Sequence, residues 1–203
     1  LPDGTMETFR IVNSPIMEAP LQTLYPNIRT FAGVSTTDAG KKVRFDYTPQ
    51  GFHAMILVAG ESTIFIDPYS FGGGDTEHYI VYERSDFASS VAKMVDCDVT
   101  TGITTTPVDP QGLAYNTCEL REYRLALAAT GEYTTFHGGT VAGALAAQVT
   151  TMNRVNGIYE RDFAVRMNII GNNNLLIFTN SGTDPYTNNS GATMLGENQA
   201  EID

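Results

Sequence analysis

Residues 140–160 read Thr140-Val-Ala-Gly-Ala-Leu-Ala-Ala-Gln-Val-Thr-Thr-Met-Asn-Arg-Val-Asn-Gly-Ile-Tyr-Glu160. Apolar side chains recur here at steps of three and four residues, as they do on one face of an α-helix: Val141, Leu145, Val149, Met152, Val155, Ile158 and Tyr159. Thr140 is a suitable N-cap, because its hydroxyl can accept a hydrogen bond from a free N–H of the first turn. The pattern predicts an amphipathic helix of about five turns.

Apolar segments on both sides of this helix complete a strand–helix–strand unit. Residues 122–129 predict a mostly buried strand and residues 163–170 a second strand. A crossover of this length is expected to make the two strands parallel and the connection right-handed. Residues 175–179 predict a third strand, which we expect to pair with the second as a hairpin across a tight turn. These elements leave one sheet face and at least one edge uncovered, so the unit is expected to be incomplete.

The first half of the chain has the pattern of β-structure. Val43, Phe45 and Tyr47 alternate with polar residues, which is the period of a half-buried strand. Two more strands, at residues 51–58 and 62–67, follow after short turns, so the three form an antiparallel meander. We also expect a strand at 8–12 and short helices at 17–24 and 85–94. The predicted fold class is α+β.

A segment without basic residues separates the two halves. No Lys or Arg occurs between Met94 and Leu120, and residues 98–112 are rich in Thr, Pro and Gly. This composition disfavours both a helix and a buried strand. The sequence therefore predicts a β-rich domain at residues 1–97, a Thr/Pro linker at 98–118 and a partial α/β subdomain at 119–203.

The overall charge is strongly acidic. The 203 residues include 12 Lys and Arg against 23 Asp and Glu, a formal net charge of −11. Such a surface repels nucleic-acid phosphates and anionic lipids, and the apolar runs are far shorter than the roughly 20 residues that span a bilayer. We therefore expect neither nucleic acid nor membrane as a partner. A surface with three lysines and many threonines is common among secreted bacterial proteins, and the family resemblance described below implies an extracellular location.

No complete catalytic or metal-binding motif occurs in the sequence. His53, His78 and His137 are far apart, none lies within four residues of another or of a cysteine, and none is followed by Glu. Zinc motifs space their ligands closely, so each histidine is interpreted as structural. Gly138 and Gly139 resemble the oxyanion segment of esterases, but without a Gly-x-Ser-x-Gly motif they are interpreted as a sharp entry into the long helix within a loop at 130–139.

Two cysteines, Cys97 and Cys118, flank the linker. They can close one disulfide or remain unreactive thiols, and one of them can instead act as a metal or redox thiolate. The residues alone leave these alternatives open.

Nearly the whole chain resembles one family of secreted enzymes. One segment begins with Arg121-Glu-Tyr-Arg-Leu, continues through Val155-Asn-Gly-Ile-Tyr-Glu-Arg-Asp-Phe163 and ends with Asn172-Asn-Asn-Leu-Leu-Ile-Phe-Thr-Asn180. It is similar to the start of the catalytic domain of reprolysin-like zinc metallopeptidases of Bacteroidetes-type secreted proteins. These enzymes are metzincins. Residues 1–10, 45–55 and 66–70 resemble the propeptide domain of the same proteins. Residues 155–163 are the most specific part of the resemblance.

The resemblance implies a cofactor and partners. In metzincins the zinc-binding helix, with His-Glu-x-x-His-x-x-Gly-x-x-His, follows the first strands and helix. That motif is absent from this sequence, so no catalytic residue is assigned and the zinc ligands are expected beyond Asp203. Calcium is a second possible ion, without support in the sequence. The expected partners are a protein or peptide substrate of the parent enzyme and the remaining segment of its catalytic domain.

Zymogens of this class are commonly kept latent by a propeptide thiolate or carboxylate that occupies the open zinc position. Cys97 fits this role, because it ends the β-rich part and precedes a cleavable linker that gives the thiolate reach. The resemblance therefore implies that Cys97 is a cysteine switch that binds zinc in the latent form. Asp96 and Asp98 are the carboxylate alternatives, and Cys118 is the second thiol candidate.

Two functions are consistent with the sequence. The first is the propeptide and partial catalytic domain of a secreted zinc endopeptidase, inactive as this chain alone. The second is a non-catalytic secreted module for binding, adhesion or inhibition. A His-Glu-x-x-His motif within roughly 60 to 100 residues after Asp203 favours the first, and a stop codon there favours the second.

Overall fold

The computed structural model describes residues 1–70, 75, 77–86, 119–188 and 190–202. The predicted linker and most of the helix predicted at 85–94 lie outside these residues; residues 84–86 form a 3₁₀ turn. Among the described helices, none is both long enough and apolar enough to cross a membrane.

The described residues before 87 form a six-stranded antiparallel sheet. Its strands are β1 (Phe9–Asn13), β2 (Arg29–Ser35), β3 (Lys41–Thr48), β4 (Gly51–Val58), β5 (Ile64–Pro68) and β6 (Tyr79–Glu83). Each strand pairs with the next along the chain, so the predicted meander is confirmed. Helix α1 (Ala19–Leu24) connects β1 to β2 and has a proline in its first turn, where a missing N–H costs nothing.

Strand β2 was not predicted, because its buried positions carry no apolar signal. The residues that it buries most are Thr30, Gly33 and Ser35. Glycine is required at position 33, since a Cβ there would lie 2.9 Å from the carbonyl oxygen of Arg10 in β1. A strand of this composition is recognised only when its neighbours are known.

The second half contains the predicted strand–helix–strand unit. Strand β7 (Arg121–Leu125) and strand β8 (Val165–Ile169) are parallel and are joined by helices α2 (Gly131–Phe136) and α3 (Val141–Phe163); helix α4 (Gly191–Ile202) follows. The Thr140 hydroxyl accepts a hydrogen bond from Gly143 N at 3.1 Å, as its predicted N-cap role requires. The fold class is therefore α+β, as predicted.

Four local predictions for this half are wrong. Residues 121–124 of β7, where the sequence predicts a mostly buried strand, are exposed. The segment predicted as a loop at 130–139 contains α2, although Gly138 and Gly139 do make the sharp entry to α3, with φ of 95° and 72°. The segment predicted as a third strand begins as a 3₁₀ turn at residues 173–176, and Ile177 makes a parallel bridge to Ala129 instead of a hairpin with β8. Helix α4, which has no buried residue, was missed.

One hydrophobic core is shared by the two halves of the chain. From the first half it takes Ile16, Met17, Leu21 and Ile28, and from the second half Ala129, Ala144, Leu145, Ala146, Val149, Met152, Ile169 and Ile177. A second, smaller cluster lies on the opposite face of the six-stranded sheet, around Val43, Ala54 and Ile56. The first half therefore completes the core of the second.

Glu7 fastens the segment before β1 to the sheet. Its carboxylate accepts hydrogen bonds from the hydroxyls of Ser35 (2.5 Å) and Thr37 (2.7 Å) and from Lys41 Nζ (3.2 Å). These bonds, the two hydroxyls first, lower the pKa of Glu7 from 4.5 to about 2. Ionised Glu7 therefore stabilises the fold at neutral pH.

Replacing Glu7 by Gln is expected to remove a stabilising contribution that depends on pH. Because the native pKa of about 2 lies below the unfolded value of 4.5, the contribution is complete above about pH 4.5 and is lost as pH falls towards 2. The difference in urea midpoint between wild type and Glu7→Gln should be largest near pH 6 and should shrink near pH 2.5. The exposed Glu119→Gln serves as control, and a difference independent of pH would contradict the assignment.

Candidate functional site

Helix α3 packs on one face of the six-stranded sheet through polar and charged side chains. We call this contact the sheet–helix junction; it comprises Arg44, Asp46 and Asp67 on the sheet and Thr150, Asn153, Arg154 and Glu160 on the helix. Arg44 and Asp46 are 5% and 1% exposed, and Val43 on the opposite face of β3 is buried as well. The prediction of a half-buried β3 is therefore wrong, since α3 covers its polar face and supplies partners for its charges.

Arg44 is the most extensively bonded side chain of the junction. Its Nη1 donates to Ser14 Oγ at 2.9 Å and approaches Asn153 Oδ1 at 3.5 Å, and its Nη2 pairs with the Glu160 carboxylate. Glu160 also accepts from Arg166 Nε at 2.5 Å. One carboxylate thus bridges two guanidinium groups, which offsets the cost of burying the charge of Arg44.

Two aspartates make the other polar contacts. The Thr150 hydroxyl donates to Asp46 Oδ1 at 2.6 Å, and His53 Nδ1 lies 3.3 Å from the same oxygen. Asp67 pairs with Arg154 at 2.5 Å and accepts from the Tyr82 hydroxyl at 2.7 Å.

Burial, followed by the hydrogen bond to Asp67 and its negative charge, raises the pKa of Tyr82 to about 12. Tyr82 is therefore a protonated donor across the physiological range.

A glycine allows the helix to approach the sheet this closely. A Cβ at Gly157 would lie 2.8 Å from Met55 Cε and 3.0 Å from Arg44 Cγ. Glycine in a helix interior costs about 1 kcal/mol relative to alanine. Its presence in α3 is accounted for by the close packing against β3 and β4.

A cleft of about 350 Å³ opens at one end of the junction. Its lining includes two of the three histidines, His53 and His137, together with Asp67, Arg154 and Tyr133. Burial lowers the pKa of His137, which keeps the imidazole neutral at neutral pH. The carboxylate of Asp67 and the guanidinium of Arg154 bond to each other, so these two charges of the cleft lining are paired.

The described residues do not fit a zinc site. No group of three or more His, Cys, Asp or Glu that could hold a metal occurs among them. His78, the third histidine, is largely exposed and contacts Asp75, with 2.8 Å between Nδ1 and Oδ2. The switch candidates Asp96, Cys97, Asp98 and Cys118 all lie outside the described residues.

A second contact between the halves lies on the outer edge of β8, which is the edge away from β7. Ala164 O and Ile170 N bond to β7, at 2.8 and 3.0 Å, so Met167, Ile169 and Gly171 present their backbone groups on the outer edge. Ile169 N donates to Ile16 O at 2.7 Å, and Glu18 N donates to Ile169 O at 2.9 Å.

The Glu18 side chain extends this contact. Its carboxylate accepts from Gly171 N at 2.7 Å and from Arg124 Nε at 2.6 Å. These hydrogen bonds, the one from Arg124 first, lower the pKa of Glu18 and keep it ionised. The outer edge of β8, where the sequence predicts a hairpin partner from residues 175–179, is instead covered by residues 16–18 of the first half.

Comparison with known proteins finds one family that is similar to the second half of the chain. Residues 120–203 match the family model for reprolysin-like metallopeptidases of family M12B. The match covers less than half of the chain and coincides with the unit built on β7, α3 and β8. It supports a reprolysin-like, zinc-dependent metallopeptidase, a class that acts on proteins or peptides. No curated protein and no solved structure matches the chain.

Proposed function

We propose that the chain is the propeptide and the first part of the catalytic domain of a secreted zinc-dependent endopeptidase. The match of residues 120–203 to the metallopeptidase family carries this proposal. Residues 1–97 are the propeptide domain, residues 98–118 the activation linker, and residues 119–203 the start of the catalytic domain. The bonded sheet–helix junction supports the propeptide role, since a propeptide must bind the domain that it keeps latent.

The chain alone is inactive under this proposal. Its sequence lacks His-Glu-x-x-His, and the metal ligands are expected beyond Asp203. Zinc bound there would activate water and polarise the scissile carbonyl. Substrates are proteins or peptides, and the structural partner of this chain is the rest of the catalytic domain.

The test compares chain 1–203 with a longer chain that continues through the zinc-binding helix, each incubated with casein and zinc. We expect hydrolysis by the longer chain after linker cleavage, and its loss when the metal is chelated. Chain 1–203 should release no peptides. Zinc-dependent cleavage by chain 1–203 alone would contradict the proposed location of the catalytic residues.

Cys97 is the proposed switch residue. Removal of its thiol from the longer chain is expected to raise casein hydrolysis before linker cleavage by about tenfold or more, because the zinc position is then open to water. Cys118→Ala is the matched control and should stay latent, as should Asp96→Asn and Asp98→Asn. A Cys97→Ala zymogen as latent as the parent would exclude Cys97, and activation of one of the other three variants would identify the alternative switch.

A further inference from the structure

The first half of the chain supplies a short edge segment, residues 16–18, to the sheet of the second half, with a parallel bridge between Met17 and Ile169. On the outer edge of β8, Ile169 exchanges two backbone hydrogen bonds with Ile16 and Glu18, and Gly171 N is bonded by the Glu18 carboxylate. At the next position on the same edge, the Asn156 side chain bonds Met167 N and O, both at 2.9 Å. Without residues 16–18, the backbone groups of Ile169 and Gly171 would lose their partners on an open sheet edge.

The same segment fills the core beneath that edge. Ile16, Met17, Leu21 and Ile28 are all nearly or fully buried in the cluster that contains Leu145 and Val149 of α3 and Ile169 of β8. Removing the first half would expose these apolar surfaces of α3 and β8 to water. It would also leave Glu160 and Arg154 without their partners on the sheet.

We infer that the N-terminal part remains bound to the C-terminal part after the chain is cut between them, as a structural complement of the peptidase-like unit. Cutting residues 98–118 breaks one covalent connection, whereas the backbone contact of residues 16–18, the shared core and the sheet–helix junction all stay in place. This inference rests on the proposed function only in taking 98–118 as the place of the cut.

The experiment introduces a recognition site for a specific protease between residues 98 and 118 of the full chain. The two fragments are then analysed by size-exclusion chromatography at about 1 µM, a concentration at which weak complexes separate. We expect the cut fragments to elute together at the volume of the uncut chain. Elution as two separate species would overturn the inference.

A matched pair of glycine variants tests which contact holds the fragments. Gly157→Leu places a side chain where a Cβ already meets Met55 at 2.8 Å and Arg44 at 3.0 Å, whereas a side chain at Gly196 in α4 meets nothing within 4 Å. The dissociation constant of the cut Gly157→Leu pair should be about tenfold or more above that of Gly196→Leu. Equal constants would overturn the role of the sheet–helix junction. If Gly157→Leu does not fold, Gly157→Ala gives the same comparison with a smaller clash.

The readout is independent of peptidase activity. Separation of the fragments would therefore overturn retention and leave the proposed peptidase standing. Failure of the longer chain to hydrolyse casein would overturn the proposed peptidase and leave the retention of the fragments standing.

Discussion

Replacing Asn156 by Asp is expected to lower the free energy of unfolding by about 3 kcal/mol at pH 7, which is more than a hundredfold in the folding equilibrium. Asn156 is fully buried in α3, and its amide accepts from Met167 N and donates to Met167 O. The new carboxylate keeps the acceptor but replaces the donor by a second oxygen, which faces a carbonyl. The side-chain volume is almost unchanged, so the loss reports the polar contact.

The loss is expected to depend on pH. A protonated carboxyl can donate to Met167 O as the amide does, so burial raises the native pKa of the introduced group above its unfolded value of about 3.9. The destabilisation should therefore grow as pH rises through the interval between these two values and nearly vanish below about pH 4. Urea unfolding of both proteins at pH 4 and pH 7 measures this difference.

Asn172→Asp is the control for this experiment, because Asn172 is exposed and makes no side-chain capping bond. It should change the free energy of unfolding by less than about 0.5 kcal/mol at either pH. A loss for Asn156→Asp that is equally large at pH 4 and pH 7 would show that the donor to Met167 is not the cause.

The elements that the sequence predicts best are those with an uninterrupted local pattern. Helix α3 has both the apolar spacing and the Thr140 N-cap, and strands β3, β4 and β5 have short apolar or alternating runs between turns. Helix α2 has a weaker signal of the same kind, since Thr130 accepts a hydrogen bond from Tyr133 N and Glu132 lies in the first turn. Gly138 and Gly139 indicate the turn that follows this helix but not the helix itself.

The segment after β8 depends on a contact that no local pattern contains. Its apolar run, residues 175–178, is consistent with a hairpin strand. In the structure, Asn173 accepts from Leu127 N at 2.8 Å and donates to Leu127 O at 3.1 Å, so the chain turns at that point. Ile177 is thereby placed beside Ala129. No periodicity in the sequence predicts a buried asparagine whose side chain bonds to backbone atoms far away along the chain.

The sequence does not predict the sheet–helix junction, because alternating polar residues in a strand such as β3 indicate a face exposed to solvent. The helix partners of the two β3 side chains are more than 100 residues away along the chain, 104 for Asp46 with Thr150 and 109 for Arg44 with Asn153. One signal was present in the sequence. Helix α3 buries Asn153 and Asn156 among its apolar positions, and polar side chains in such places usually mark a partner.

The shared core makes the folding of the two halves interdependent. Four side chains from before β3 lie in the cluster that α3, β7 and β8 would otherwise leave incomplete. A sheet that is completed by residues 16–18 of another part of the chain has no independent edge there. We therefore expect the described residues to unfold in one transition, in which a substitution in α1 lowers the stability of α3.

Leu21→Ala is expected to lower the free energy of unfolding by about 3 kcal/mol, through lost burial and the cavity that remains. Leu21 lies in α1 and is 0% exposed, and it belongs to the cluster that contains Leu145 of α3. Urea unfolding measures the loss of stability, and hydrogen exchange shows which elements lose amide protection. Amide protection in α3 should fall by about two orders of magnitude, although the substitution lies some 120 residues earlier in the chain.

The matched control lies one turn further along the same helix. Leu24 is 62% exposed, so Leu24→Ala carries the same change in helix propensity and chemistry with a loss below about 0.5 kcal/mol. If Leu21→Ala lowers protection in the six-stranded sheet but leaves α3 unchanged, the two halves fold independently and the core is not cooperative. If both parts lose protection together, residues before β3 fold cooperatively with residues 120–203, which match the metallopeptidase family model, and release of the N-terminal part would unfold the second half.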